Sequence, residues 1–432
     1  MTPSGRLSAA IDVIADIESR RRPAAEALKD WGSGHRFAGS GDRAAIAGLV
    51  YDALRRRASS AHVMGATTGR AILLGMLKVE RGLDVAEIDR LTDGSRFAPA
   101  PLEEDERRAL ASASLADVPA HVAGDYPEWL DGHLARAFGE ERAEEAAALA
   151  RRAPLDLRVN ALAAERGAIL KEFADYNPAA TPWSPAGVRI LVPAGAKSPA
   201  IQSEPAFIKG MVEVQDEGSQ IAALMTGAKP GETVIDLCAG GGGKTLALAA
   251  MMAGQGRIVA TDLDKRRLAP IHDRLARAGV AHVDVRTPRQ AGDVLSDMES
   301  GADLVVIDSP CTGTGTWRRN PDAKWRMRPG ALEQRLKEQV EVLDRAAGLV
   351  RPGGRLAYIT CSVLAEENAD QVAAFVERHP EFVVTPPAAL ADSLGASADA
   401  FLAAARIGEH GIQMTPRRTG TDGFFVAMMR RS

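Results

Sequence analysis

Two short segments concentrate the reactive side chains of this sequence. In IDSPCTGTG an acid, Asp308, precedes Cys311 by three residues, and in YITCS a second cysteine, Cys361, closes a run of strand-forming residues. The chain has 3 cysteines, the third being Cys238, and no CxxC pair of the kind that holds zinc, so no metal is expected. Widely spaced thiols are usually buried and inert. Here two of them follow runs that read as strands. A nucleophilic thiol, a second group that takes or gives a proton, and an acid that polarises a ring edge suit conjugate addition to a pyrimidine. A thiolate added to carbon 6 of cytosine makes carbon 5 enamine-like and able to attack a methyl sulfonium. The carbon 5 proton then leaves and the thiol is expelled. A free thiol ionises near a pH of about 8.5, so the nucleophile needs a cationic or dipolar setting.

A third segment, VIDLCAGGGGKT, reads as a strand, a glycine loop and the start of a helix, the arrangement in which backbone approaches a ligand closely. It is not a good P-loop: Gly243, Lys244 and Thr245 fit the end of that motif, but Cys238 stands where its first glycine belongs. The run of glycines cannot be scored well against GxGxxG. About 20 residues on, the strand GRIVATD ends at Asp262, where an acid accepts hydrogen bonds from ribose hydroxyls. Capping of the next helix competes for this acid, and Asp264 competes for the cap. A ribose acid with a glycine loop leaves a nicotinamide dinucleotide or S-adenosylmethionine.

The elements that must position these groups follow from periodicity. From Thr233 onward strands alternate with helices: ETVIDLCA, KTLALAAMMA, GRIVATD, KRRLAPIHDRLARAG, AHVDVRTP, ADLVVIDSP, ALEQRLKEQVEVLDRAAGLV, GRLAYITCS, NADQVAAFVERHP and a last strand in GFFVAMMR. That alternation means a parallel sheet covered by helices, with ligands beyond the strand C-termini. Asp236, Asp262, Asp308 and Cys361 all fall at or just past such ends. Residues 149–215 read as a small α+β unit with strands in LDLRVN, GVRILVP and GMVEVQD and a helix in ERGAILKEFADY. Residues 1–148 read as all-α, with helices in SAAIDVIADI, in DRAAIAGLVYDALRRR and in RAILLGMLKVERG ending at Gly82. Asp42 is a candidate N-cap, and the run Arg55, Arg56 and Arg57 suits a helix C-terminus.

A chain of 432 residues exceeds one ordinary core, and two or three domains are expected. The net charge of −4 excludes wholesale basicity as the basis of nucleic-acid binding, so RNA contacts must be local. TWRRNPDAKWRMR sets Arg318, Arg319, Lys324, Arg326 and Arg328 around Trp317 and Trp325, cations for phosphate and rings for stacking on single-stranded RNA, unless the loop is merely solvated. No apolar run reaches the roughly 18 residues of a membrane helix, and the N-terminal segment has no signal core. A monomer in the cytoplasm, away from membranes, is expected.

Taken together, DLCAGGGGKT, DSPCTGTG followed by RRNPDAKWR, TCSVLAEEN, VQDEGSQ, LRVN and the terminal TDGFF give the chain, over nearly all its length, a resemblance to the RsmB/Sun family of RNA cytosine-C5 methyltransferases. The resemblance implies a Rossmann-like class I methyltransferase sheet at 216–432, behind a NusB-like RNA-binding helical domain and a small RRM-like subdomain. It implies S-adenosylmethionine as cofactor, held by Cys238, Ala239, Gly240, Gly241, Gly242, Gly243, Lys244 and Asp262, with Asp308 at its edge. It makes Cys361 the nucleophile, Cys311 the group assisting release, and Asp308 a contact to the target base. Its substrate is RNA, with small-subunit rRNA the expected target. Two features depart from the family. Gly240 and Gly241 replace its Ala-Pro, which softens the loop. The position of its adenine-side acid falls on Pro288, and neither Asp284 nor Gln290 aligns. An exocyclic-amine methyltransferase is disfavoured, because it needs Asp/Asn-Pro-Pro-aromatic and no thiol. A binding scaffold without activity is the other alternative.

Overall fold

A computed structural model describes residues 1–193, 199–288 and 292–432. Contacts divide the chain into two compact units. One includes Met1–Arg152 and, from much later in the chain, Trp317–Arg328; the other includes Ala153–Leu191, Pro199–Thr316 and Pro329–Ser432. The small α+β part and the large sheet thus lie in one unit.

The first unit is all-α. Helices Pro3–Arg20, Ser40–Arg55 and Gly69–Val79 bury Leu7, Ile14, Ile46, Val50, Ile72 and Leu73 against one another. Gly39, not Asp42, takes the N-cap position of Ser40–Arg55. Asp42 lies in the first turn and binds the Met1 amino group and Arg6 instead. The arginine run does end this helix, with Arg55 its last residue and Arg56 its C-cap, and its side chains are paired. Arg55 is buried on Asp52, Arg56 pairs with Glu80 and Asp125, and Arg57 with Glu18.

The segment expected to face RNA is largely interior to this helical unit. A helix leaves its last carbonyls without intrahelical partners. At the end of Ser40–Arg55 those partners come from the inserted segment: Trp325 Nε1 donates to the Leu54 carbonyl at 2.6 Å, and Lys324 Nζ to the Arg55 carbonyl at 3.2 Å. Lys324 also donates to the Asp125 carbonyl at 2.5 Å. Asp322 accepts from the Ala24 N–H at 3.2 Å, capping helix Ala24–Gly34, whose own Pro23 cannot. Arg318 is 5% exposed and its carbonyl accepts from Arg55. Lys324 and Trp325 thus serve as donors to a helix end, and Lys324 and Arg318 are buried while Trp325 is half-buried. Arg319 is half-buried, and Arg326 and Arg328 are exposed.

The second unit holds two sheets. The small one has the order β2-β3-β1-β4, all antiparallel, from β1 (Leu155–Val159), β2 (Ala179–Ala180), β3 (Gly187–Ile190) and β4 (Val212–Val214). The large sheet is built on β5 (Thr233–Asp236), β6 (Arg257–Ala260), β7 (Val283–Val285), β8 (Ala302–Asp308) and β9 (Val350–Thr360), parallel in the order β9-β8-β5-β6-β7. Beyond β9 the sheet turns antiparallel. The short strands β10 (Phe382–Val384), β11 (Arg406–Ile407) and β12 (Ile412–Met414), absent from the periodicity reading, join β13 (Phe424–Arg431), itself antiparallel to β9. Strand residues alternate between two cores: Val234, Leu304, Val306 and Ala357 face one, and Ile235, Val305, Ile307 and Tyr358 the other. A sheet buried on both faces reads as continuous apolar runs, which is how these strands read. The expected helix KRRLAPIHDRLARAG is two, Lys265–Leu268 and Ile271–Arg277, interrupted at Pro270, which cannot donate to a helix ladder.

Lys324→Met keeps much of the side-chain volume but removes the donor to two buried carbonyls. It is expected to destabilise the helical unit by about 1–3 kcal/mol, read as a lower melting temperature. An unchanged melting temperature would mean the ammonium is not needed there.

Candidate active site

The glycine loop follows β5 and turns into helix Gly243–Met251. Gly242 has φ +80°, and a Cβ there would meet Ile271 at 2.5 Å, so only glycine fits. Gly240 has φ +49°, and a Cβ on it would point toward Arg267 and the Asp262 carboxylate at 3.6 and 3.8 Å, a cradle left open by the missing side chain. Asp262, just past β6, accepts from the Gly240 N–H at 3.0 Å and from the Asp264 N–H at 2.9 Å. Asp264 caps the next helix by accepting from the Arg266 N–H at 2.8 Å. The cap role thus belongs to Asp264, and Asp262 faces the loop.

The softness expected of four consecutive glycines is countered by side chains distant in sequence. Arg274 donates to the Gly241 carbonyl at 2.7 Å and is itself held by Glu213 at 3.0 Å. Arg158 donates to the Gly243 carbonyl at 3.4 Å and to Gln215 at 2.6 Å. LRVN and VQDEGSQ, two of the sequence segments singled out above, thereby brace the loop from the small sheet's side. No local signal marks Arg274 or Glu213; only folding brings them to the loop.

Below the loop, Thr245 donates to Asp236 at 2.7 Å, while the other Asp236 oxygen has no partner. Burial pushes the Asp236 carboxyl up to about 7. Lys244 pairs with Asp308 at the end of β8 at 2.8 Å and lies 5.1 Å from the Phe424 ring centre. Burial, then the nearby carboxylates, pushes the Cys238 thiol up, which suits an inert loop residue. Asp262 and Asp308 lie at this loop with Lys244 and with Arg267, 3.6 Å from Asp262. A nucleoside-bearing cation such as S-adenosylmethionine fits such a site: acid for ribose, backbone for close approach, and carboxylates for the sulfonium and amino group. The position expected to hold an adenine-side acid is Pro288, half-buried. Asp284 is engaged by Arg257 and Arg286, each at 3.0 Å, and Gln290 lies outside the described residues.

Cys311 and Cys361 meet. Their sulfurs are 3.4 Å apart, and both residues are half-buried. The bond to the Cys361 sulfur, then burial, pushes the Cys311 thiol well above its ordinary value. The two loops are stitched by the Gly315 N–H to the Cys361 carbonyl at 2.9 Å, and the Gly423 N–H of TDGFF donates to the Gly315 carbonyl at 2.8 Å. One residue the sequence reading passed over is central here. Glu367, fully buried, accepts from the backbone and hydroxyl of Thr312 and from the hydroxyl of Ser362, the residues that follow the two cysteines. Its signal was available: an acid six residues past Cys361, inside TCSVLAEEN. No group of His, Cys, Asp and Glu among the described residues could hold a metal, and no helix among them is long and apolar enough to cross a membrane.

A parallel sheet whose order reverses beside β5, a glycine loop after its first strand and an acid after its second define a Rossmann-like methyltransferase fold. Within that class the chain belongs to the RsmB/F family of 16S rRNA methyltransferases. The model of the 16S rRNA methyltransferase RsmB/F matches residues 223–430, and the ferredoxin-like domain of RsmF/B-like methyltransferases matches 126–196. The ribosomal RNA small subunit methyltransferase B of Sodalis glossinidius is 36% identical over 328 residues, 74% of this chain and 68% of that one. The probable ribosomal RNA small subunit methyltransferase B of Bacillus subtilis is 29% identical over 359 residues, covering 82% and 77%. Among solved structures, the crystal structure of PH0851 matches with a TM-score of 0.72 and 26% identity, covering 100% of this chain and 99% of that one.

Asp262→Ala removes an acceptor from a buried site and also frees Gly240. S-adenosylmethionine binding, measured by calorimetry, is expected to weaken by about 1–3 kcal/mol. An unchanged dissociation constant would leave Asp262 no part in holding the cofactor.

Proposed function

We propose that this rRNA methyltransferase methylates carbon 5 of a cytosine in small-subunit rRNA, in the cytoplasm, with S-adenosylmethionine as donor and Cys361 as covalent nucleophile. The observation that carries this reading is the 3.4 Å approach of two thiols at the sheet edge that also presents Asp308 and the glycine loop. An exocyclic-amine methyltransferase has no use for that pair. The cofactor supplies an electrophilic methyl group. Gly240, Gly242 and Asp262 would hold its nucleoside end, and Leu263, 90% exposed beside Asp262, offers adenine an apolar face in place of the absent acid.

The two thiols have different settings: the neighbouring Cys361 sulfur and then burial push the Cys311 thiol well above its ordinary value, which suits it less to make the first attack. Cys361 adds to carbon 6 of the cytosine, Asp308 steadies the ring edge, and carbon 5 becomes nucleophilic. After methyl transfer the carbon 5 proton must leave and the carbon 6–sulfur bond must break. Once the Cys361 sulfur is bonded to carbon 6, Cys311 gives its proton to solvent and as thiolate takes the carbon 5 proton; the electron pair of that C–H bond re-forms the carbon 5–carbon 6 double bond and Cys361 leaves as thiolate. The alternative of an inactive scaffold rested on two departures, the softened loop and the missing adenine-side acid; Arg274 restrains the loop, and Leu263 is the face offered to adenine. RNA is held by the helical unit, in the NusB-like role that the resemblance assigns it, with Arg319 among the contacts.

Cys361→Ala is expected to abolish methyl transfer with cofactor binding intact and to form no adduct. Cys311→Ala still attacks and methylates but releases slowly. RNA therefore accumulates on it as a slow band on a denaturing gel, and only when S-adenosylmethionine is present. Trapping on Cys361→Ala instead would reverse the two roles, and full activity of both variants would end the covalent reading. Bisulfite sequencing of small-subunit rRNA from a deletion strain identifies the nucleotide.

A further inference from the structure

The two cysteines, 3.4 Å apart, lie on loops that leave the neighbouring strands β8 and β9. These loops touch each other past Cys311's own turn, through the Gly315 N–H to the Cys361 carbonyl at 2.9 Å and the Thr314 and Ser362 hydroxyls at 3.0 Å, but the turn that carries Cys311 itself needs a further restraint. One carboxylate touches both loops. Glu367 Oε1 accepts from the Thr312 N–H at 2.7 Å and from Gln339 Nε2 at 3.1 Å, and Oε2 accepts from Thr312 Oγ1 and Ser362 Oγ, each at 2.5 Å. Thr312 follows Cys311 and Ser362 follows Cys361. Gln339, on helix Pro329–Leu349, extends the grip by donating to the Pro310 carbonyl at 3.0 Å, on the other side of Cys311. The clamp is itself fixed: the Tyr358 hydroxyl donates to the Glu367 carbonyl at 2.7 Å, and Asn368 donates to the Ser362 carbonyl at 3.0 Å. A buried carboxylate persists only where donors surround it, and four donors on two oxygens leave it little freedom.

We infer that Glu367 is the positioning residue that sets the distance between Cys311 and Cys361. It does not face the substrate; it acts through Thr312 and Ser362. The inference rests on the reading of these cysteines as the reacting pair, but the placement can be tested without that chemistry. What the site requires is an acceptor of the right reach rather than a charge. Glutamine keeps Oε1 for the Thr312 N–H, and the Thr312 and Ser362 hydroxyls can rotate to accept from its amide.

Diamide takes two hydrogens from a pair of thiols, leaving a disulfide and a hydrazine, at a rate that depends on how often the sulfurs meet. The test is the rate of Cys311–Cys361 linkage in the full chain without RNA or cofactor, followed by mass spectrometry of the joined peptides, beside kcat for methyl transfer and the Kd for S-adenosylmethionine. In Thr312→Val with Ser362→Ala, both hydroxyl bonds to the clamp are gone while its N–H and Gln339 bonds remain to support the fold; Thr314→Val, which takes the other hydroxyl partner from Ser362 and leaves the clamp whole, is run beside it and is expected to change neither rate more than about threefold. In the double variant the linkage rate and kcat are both expected to fall about tenfold, with Kd held within about twofold and the melting transition retained. Glu367→Gln is expected to stay within about threefold of wild type in both rates. Wild-type linkage and turnover in the double variant would overturn the inference. So would a Glu367→Gln protein that links normally but no longer methylates, since the carboxylate would then be handling a proton. Methylation by Cys361→Ala would sink the nucleophile assignment alone, because linkage reports on the placement by Glu367 independently of turnover.

Discussion

Asp236 lies level with Ala260 on one side and Val306 on the other, and Asp308 lies level with Ile359. This parallel register ends β6, β5, β8 and β9 along one edge, with the order β9-β8-β5-β6 placing their exits side by side. A parallel strand can reach its neighbour only through a crossover, so each exit is followed by a loop that begins at the same edge. The glycine loop, Asp262, Asp308 and Cys361 occupy four such positions. Were any of these pairings antiparallel, the corresponding group would lie at the far side of the sheet. The geometry of the cofactor pocket and of the thiol pair are both consequences of that register.

The edge is also where polar groups are buried, and the structure meets that cost by supplying partners from far along the chain. Glu367 has donors from three segments. Arg274 reaches the Gly241 carbonyl from the helix after β6, and Glu213 holds Arg274 from the small sheet. Asp236 is an exception, with one oxygen unpartnered at the floor of the loop, as are the Ser309 hydroxyl and the Gln339 Oε1. An unsatisfied buried oxygen is expensive unless something else approaches it, and the floor of a site for a cationic ligand is a place where something does. The helical unit solves the same problem differently: the carbonyls ending Ser40–Arg55 are met by Lys324 and Trp325. Burial pushes the Lys324 ammonium down to about 7, a measure of how far from water that cap lies.

Much of the fold was legible locally. The parallel strands read as apolar runs because both of their faces are covered, and the long helix Pro329–Leu349 and the helices of the first unit showed their period. The short strands β10, β11 and β12 did not, since two or three residues carry no period; β10 and β12 form on β13, and β11 on β12. The TWRRNPDAKWRMR segment has, beside the RNA contacts expected of it, a helix-capping role that its sequence did not show. Clustered cations and tryptophans have the same composition whether they meet phosphate or cap a helix, and only the path of the chain decides between these.

By itself the sequence determined which side chains could react and that a parallel sheet would bring them to one edge, because residue type and strand periodicity are local properties. The kinds of group at the site, thiols, acids and a glycine loop, were fixed in the same way. Tertiary structure alone decided that Cys311 and Cys361 touch, that Asp264 rather than Asp262 caps the helix, that Arg274 stiffens the glycine loop and that Glu367 joins the two cysteine loops. The cap bond of Asp264 is local, but what draws Asp262 away from it, and each of the other contacts, depends on a partner tens of residues away. The buried environment that gives those contacts their strength exists only once the chain has closed around them.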